Sequence, residues 1–366
     1  MKFTVQRSVL LEALNITGKA VNTNSIIPIL SSILFKITGN ECEVCASNQE
    51  VFLSKKIEVI SDTDISIALP ALRLTGLIKE LPDQPLQFDV DEKSVTIKAS
   101  SGKYVIPYED GEHFPVFNIK DTPVSFTMNG QELLNGVDKS LFAASIDISH
   151  SLCGVAMDIS EGEVSFTGCN SFILSTVTSF IENTTVRKTI IPIKTATILN
   201  GLTINGDVEI SVYKNNISLN VGNGITIHCI LSENKYPDYK GIIPTDGDKL
   251  MVVNRLQLLA SLKRITQFSD NIISLVTLKI TNSNLVVSSN NDTLGESGHE
   301  ELEVVYDNEP IDININSKLF IQCLQHMEYD NVYMILSDKK RAIVFKSEEF
   351  GIEKTKNVML TMPVTI

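Results

Sequence analysis

The sequence predicts an α+β fold made three times over, each copy one third of the 366 residues. Three observations carry this. Phe3–Leu14, Phe126–Val137 and Met251–Leu262 share one pattern, a short alternating strand running into an amphipathic helix, and their Leu-Leu pairs fall at 10/11, 133/134 and 258/259. A second set follows in each copy at Leu69–Leu81, Ile191–Leu202 and Ile315–Met327. Apolar-polar alternation with central turn residues then marks half-buried strands after each helix.

Taken in order, the first helices are expected to reach about Ala20, Ala144 and Phe268. Arg73, Lys194 and Lys318 stand near the starts of the second helices. The runs after those helices turn at Asp91-Glu-Lys93, Lys214-Asn-Asn216 and Asp338-Lys-Lys340. Gly222-Asn-Gly224 reads as another strand turn. The first two copies end alike, Tyr108–Pro115 and Leu231–Pro237. Each copy is thus two β-α-β-β-β half-repeats. The domains are expected to span 1–122, 123–247 and 248–366, joined at Lys120-Asp-Thr-Pro123 and Thr245-Asp-Gly-Asp248. Joins this short favour a fixed arrangement over floppy linkers.

Composition removes several function classes. No run approaches the ~18 apolar residues of a membrane span. Met1–Arg7 has no apolar signal-peptide core, so the cytoplasm is expected. The six cysteines are too scattered for a disulfide framework and are expected as buried free thiols. Cys42 and Cys45 have half a zinc-knuckle spacing, but no second ligand pair stands near them. No phosphate loop, nucleophile elbow or His-Glu-x-x-His motif appears, and the five histidines do not cluster in sequence, so neither an enzyme nor a cofactor is expected. A secreted β-rich scaffold lacks its export signal and leaves the charge pattern unexplained.

That pattern is a segregation. The net charge is −13, which alone argues against nucleic acid. The six expected helices nevertheless carry ten basic residues (Arg7, Lys19, Arg73, Lys79, Lys139, Lys194, Arg255, Lys263, Arg264 and Lys318) against Glu12, Glu80, Glu132 and Asp138. Their net is +6, leaving −19 on the remainder. One reading is chance together with helix-end preference. The other is that all the helices share one basic surface, which suits a phosphate backbone. If helices of ~10 Å lined a closed ring, six would leave a hole of only ~9 Å, and twelve one of ~28 Å, wide enough for a duplex. A ring around DNA therefore needs two chains.

Four further segments carry a family resemblance over the whole chain. Met1-Lys-Phe-Thr-Val-Gln-Arg7, Ile27-Pro-Ile-Leu-Ser-Ser-Ile-Leu34, Tyr236-Pro-Asp-Tyr-Lys-Gly-Ile-Ile-Pro244 and Leu360-Thr-Met-Pro-Val-Thr-Ile366 occur in the order, and on the threefold repeat, of the bacterial DNA polymerase III β-subunit family, the sliding clamps. The resemblance implies three clamp domains and a head-to-tail homodimeric ring on duplex DNA. It implies no active site; the ring would tether the replicative polymerase. Expected partners are the polymerase III α subunit, the clamp loader and other proteins that dock a short peptide with Gln and Leu-Phe type anchors.

By position, the resemblance assigns the peptide pocket to Leu152, Cys169, Ser171, Phe172, Ile173, Leu174, Pro237, Gly241 and Ile242, with a wall from Leu360, Thr361, Met362, Pro363, Val364, Thr365 and Ile366. Members often read Thr-Asp-Gly-His-Arg-Leu where this chain has Cys169-Asn-Ser-Phe-Ile-Leu174, so its rim is more apolar. Arg73 and Lys194 match DNA-contact positions, Asn24 lies in a loop where some members carry Arg, and the charge count adds Arg255, Lys263, Arg264 and Lys318. A joint between chains is expected where Tyr104 and Ile106 on an edge strand meet Gln267 and Phe268.

Overall fold

A computed structural model describes residues 1–115, 117, 121–147, 151–183, 185–244, 247–270, 272–291, 293–346 and 355–365. Parts of both expected joins, Lys120 and Thr245, lie outside the described residues.

The first copy runs β1 (Lys2–Gln6), α1 (Arg7–Thr17), β2 (Ser32–Thr38), β3 (Glu41–Ser47) and β4 (Val51–Glu58). It continues with β5 (Ile65–Pro70), α2 (Ala71–Glu80), β6 (Pro85–Val90), β7 (Ser94–Ala99) and β8 (Gly102–Pro107). The second comprises β9 (Val124–Asn129), α3 (Gly130–Leu141), β10 (Val155–Ser160), β11 (Glu163–Cys169) and β12 (Ile173–Phe180). Then follow β13 (Arg187–Ile191), α4 (Ile193–Asn200), β14 (Asp207–Val212), β15 (Asn216–Asn220) and β16 (Ile225–Ile230). The third has β17 (Lys249–Asn254), α5 (Arg255–Ile265), β18 (Leu275–Thr281), β19 (Asn284–Asn291) and β20 (Glu296–Glu303). It ends with β21 (Ile311–Asn316), α6 (Ser317–Gln325), β22 (Asn331–Leu336), β23 (Ile343–Lys346) and β24 (Thr355–Thr361). The β-α-β-β-β half-repeat therefore recurs six times.

Helix starts have local causes. Asn129, Asn254 and Asn316 end strands, and each side-chain Oδ1 accepts a backbone N–H of the first helical turn, from Gln131 (2.9 Å), Gln257 (3.0 Å) and Leu319 (3.1 Å). In the first copy Gln6 provides no such cap, and Asp83 Oδ1 accepts from the Ser8 N–H at 2.9 Å instead. α1 and α5 each tighten into a 3₁₀ turn, through Ala20 and Phe268. The Gly222-Asn-Gly224 turn has positive φ at all three residues, which explains its two glycines.

Pairing departs from simple hairpin logic. Within each copy the two half-repeats exchange their first strands. β1 joins β6-β7-β8 and β5 joins β2-β3-β4. β9 likewise joins the sheet of β14–β16, β13 that of β10–β12, β17 that of β22–β24, and β21 that of β18–β20.

Two antiparallel joints then merge sheets of successive copies. β4 pairs with β16 (Val51↔Cys229, Leu53↔Ile227) and β12 with β24 (Ile173↔Thr361, Ser175↔Met359). The results are two nine-stranded sheets, β5-β2-β3-β4-β16-β15-β14-β9 and β13-β10-β11-β12-β24-β23-β22-β17, each lengthened by a two-residue edge strand. Sheets β1-β6-β7-β8, with the two-residue strand Ile60–Ser61 beside β1, and β20-β19-β18-β21 remain, with β8 and β20 as edges. The chain accordingly divides into two compact units, Met1–Leu134 with Thr197–Ser232, and Asn135–Ala196 with Glu233–Ile366. The middle copy contributes four strands to each, β9 with β14–β16 to the first and β13 with β10–β12 to the second.

The cores follow the alternation. In the first unit Phe3 and Phe88 stack at 4.6 Å under Phe35, all fully buried. In the second, Leu258, Leu262 and Ile265 of α5 and Phe320, Cys323 and Leu324 of α6 pack on Val276, Leu278, Met334 and Phe345. Five of the six cysteines are buried, Cys153 is half-buried, and all six are free. Burial pushes the Cys42 and Cys45 thiols far up, the opposite of what a metal ligand needs.

Candidate functional site

The second unit carries an apolar pocket beside the β12–β24 joint. It encloses about 250 Å³ and is lined by Leu152, Cys169, Asn170, Ser171, Phe172, Ile173, Leu174, Pro237, Tyr239, Ile242, Leu360 and Met362. Its floor follows from the sheet. Leu174 and Leu360 are cross-strand partners and both are buried. Gly168 brings β11 against α3, since a Cβ there would collide with the Ser140 carbonyl oxygen, and this sets Cys169 beneath the floor. Burial pushes the Cys169 thiol up to about 11.

The rim is a turn. Asn170 Oδ1 accepts from the N–H groups of Phe172 and Ile173, both at 2.9 Å. The Phe172 carbonyl accepts the Met362 N–H at 2.8 Å, and the Val364 N–H reaches Asn314 O at 2.8 Å, so the tail is tied along the pocket. The remaining wall is Tyr236–Ile242. Tyr239 is 4% exposed, donates its hydroxyl to Asp158 Oδ2 at 3.2 Å, and stands edge-on to Tyr236 with ring centroids 6.3 Å apart. Burial raises both phenols. Phe172 and Ile242 are 58% and 51% exposed at the mouth.

Ten of the expected pocket residues meet here. Gly241, Thr361, Pro363, Val364 and Thr365 do not line it, and Ile366 lies outside the described residues. Gly241 sits in an exposed 3₁₀ turn, and Thr361 is buried on the strand, 2% exposed. Asn170 and Tyr239 line the pocket beyond the sequence expectation. A signal for Tyr239 is present in the sequence, because Tyr236-Pro-Asp-Tyr239 repeats Phe114-Pro-Val-Phe117 of the first copy.

The β4–β16 joint of the first unit has the same plan with a different filling. Asn48 Oδ1 accepts from the Glu50 and Val51 N–H groups at 3.0 and 2.8 Å, as Asn170 does in its turn. Phe52, Phe117 and His228 occupy the place of Leu174, Tyr239 and Leu360, with ring centroids 6.1 to 6.3 Å apart. His228 is largely buried, its Nδ1 has no hydrogen-bond partner among the described residues, and desolvation lowers its pKa although Glu43 opposes this. A histidine held neutral stabilises the fold above its unfolded pKa near 6.5, and that contribution is lost as pH falls through the lower folded value. Thermal melting from pH 7.5 to pH 5 is expected to show a fall in Tm that is smaller in His228→Phe.

The basic residues divide by task. Arg73, Lys263 and Lys318 are exposed on α2, α5 and α6, as are Lys194 on α4 and Asn24 in the loop after α1. Arg255 is bound within the fold. Its Nε donates to Tyr329 O at 2.8 Å and its Nη1 to Leu324 O at 3.3 Å, capping the C-terminal end of α6. Arg7 caps α2 in the same way through Ile78 O and Lys79 O. Arg264 pairs bidentately with Glu300, both contacts at 2.6 Å. Lys139 is 7% exposed and pairs with Glu328 at 3.1 Å. The +6 on the helices thus overstates the free positive surface. Arg255→Ala is expected to cost about 1–2 kcal/mol through the cap and its lost hydrogen bonds, lowering Tm while leaving the salt dependence of DNA binding unchanged.

The comparisons agree with this architecture. Models of the DNA polymerase III beta subunit match in three parts, its N-terminal domain over residues 1–119, its central domain over 127–238 and its C-terminal domain over 240–363. The beta sliding clamp of Pseudomonas putida is 26% identical over 371 residues, covering 99% of this chain and all of its own. That of Rickettsia felis is 22% identical with full coverage of both chains. Among solved structures, the polymerase III subunit beta of Pseudomonas aeruginosa has the same fold with a TM-score of 0.94 at 24% identity, and that of Thermotoga maritima 0.92 at 21%, covering 100% of this chain and 100% and 99% of theirs. Matched by all three domain models in order over most of its length, the chain belongs to the DNA polymerase III beta subunit family.

Proposed function

We propose that the chain is a sliding clamp: two copies close head to tail into a cytoplasmic ring that encircles duplex DNA and tethers the replicative polymerase, without chemistry of its own. Domains of 1–122, 123–247 and 248–366 are part of this reading. One observation carries it. The two joints within the chain have the same register, and the pattern leaves one strand of each kind unpaired.

β4, β12 and β20 are equivalent eight-residue strands that open at Val51, Ile173 and Glu296. On the other side, Ile106, Cys229 and Thr361 hold one position, each opposite the first apolar residue of the preceding strand, Val95, Ile217 and Ile343. The joints pair Val51 with Cys229 and Ile173 with Thr361. Extending that register to a third joint sets Ile106 against Glu296 of a second copy, Val105 against Ser297, and Tyr104 against Gly298. Phe268 already covers Gly298, where a Cβ would stand 2.9 Å from its ring. Tyr104 would therefore lie beside Phe268, with Gln267 next to it. Pairing also removes two exposed strand edges.

Asn24, Arg73, Lys194, Lys263 and Lys318 are the proposed phosphate contacts, with Arg255 and Arg264 serving the fold. Contacts of this kind carry no sequence information. The pocket is the proposed seat for peptide segments of the polymerase α subunit, the clamp loader and other partners. Sliding clamps of Pseudomonas aeruginosa and Bartonella birtlesii have been solved bound to griselimycin, which supports a ligand-accepting surface in such proteins.

Cysteines at Val105 and Ser297 test the joint. The pairing puts their Cα atoms ~5.5 Å apart, within disulfide reach. Oxidation is expected to link chains of the double variant at micromolar concentration and neither single variant. Absence of linkage in the double variant contradicts the register.

A further inference from the structure

Among the described residues, the pocket lining contains no charged side chain. Its polar members are few, and Asn170 Oδ1 is already engaged by two backbone N–H groups. The nearest charges along the wall, Asp238 and Lys240, are exposed, opposite in sign and adjacent to the lining. A carboxylate brought to this mouth would lose water and find no cation in the described lining itself, with Lys240 outside it offset by Asp238. Phe172 is half exposed, yet its backbone is held on both sides, by Asn170 through its N–H and by Met362 through its carbonyl. An aromatic ring on a fixed backbone makes contact area at little entropic cost. Ile242 offers a second exposed apolar surface at the same mouth. A volume of about 250 Å³ takes a few side chains of an extended segment.

We infer that this pocket selects peptide segments that are uncharged throughout the docked stretch, and that Phe172 and Ile242 are the specificity-determining residues, covering an apolar side chain of the peptide next to its anchors. This rests on the peptide-docking reading. It adds the chemistry of the partner: bulky apolar anchors, no acidic residue between them, and binding nearly insensitive to salt.

The test uses the full chain and three labelled peptides, Gln-Leu-x-Leu-Phe with x as Leu, Ser or Asp, followed by fluorescence anisotropy. Wild type is expected to bind the Leu peptide about tenfold or more tighter than the Asp peptide, the equivalent of ~1.4 kcal/mol for an unpaired charge at a half-buried position. Its Kd for the Leu peptide is expected to change less than about twofold from 50 to 500 mM NaCl. Phe172→Arg, at an exposed position that tolerates the change, is expected to erase or invert the ranking, while Phe172→Leu keeps it. Equal or tighter binding of the Asp peptide by wild type, or an unchanged ranking in Phe172→Arg, overturns the inference with docking intact. Failure of all three peptides to bind wild type overturns the docking reading and this inference together.

Discussion

Val105→Pro is expected to convert a dimer of twice 40.4 kDa into a folded 40.4 kDa monomer. The reasoning starts from the two joints inside the chain. The Ile230 N–H donates to Glu50 O, and the Met362 N–H to Phe172 O, both at 2.8 Å. Alternation along an antiparallel strand then turns the N–H of His228, two residues earlier, toward β4. Val105 is the counterpart of His228, so its N–H faces outward from the free edge of β8. Proline there removes a donor and adds a ring at the face that must pair, yet an edge strand tolerates proline where its N–H faces solvent. Val105 is 64% exposed, so the monomer loses little packing. Leaving one carbonyl unpaired at a joint costs about 1–3 kcal/mol. A ring holds two such joints, so dimer affinity should fall by about 30-fold or more. Sedimentation at micromolar concentration reads this directly, and circular dichroism confirms the fold.

Ending the chain after Thr361 is expected to weaken peptide binding by about 10–100-fold while Tm changes little. The truncation removes Met362, which lines the pocket, and with it the N–H that holds the Phe172 carbonyl. Losing one large apolar contact is worth ~1.5–3 kcal/mol. The fold should persist because β24 remains paired with both β12 and β23. Anisotropy with a Leu-Phe type peptide measures the loss. Binding unchanged by truncation would place the docking surface away from the tail.

Much of the fold is legible in the amino-acid sequence. The threefold repeat stands out because strand-helix periodicity is local and recurs at matching Leu-Leu pairs. Strand exchange between half-repeats does not, since alternation marks β1 and β5 as strands without naming their neighbours. The pairing of β4 with β16 stitches residues 51–55 to 225–229, a relation that no window of sequence contains. Ten pocket positions follow from the resemblance, and the five tail and turn positions that fail to line it are carried along by adjacency. The charge segregation is real in sequence but blind to geometry. A count cannot tell Lys318, exposed at a helix start, from Arg255, whose guanidinium closes the end of the neighbouring helix.

The central claim is topological, and one measurement meets it directly. The dimer is loaded on nicked circular DNA, isolated, and half of the sample is linearised at a single site. Retention on the circle with rapid loss from the linear form, at a salt concentration where simple binding is negligible, is the expected result. Equal loss from both forms contradicts the ring.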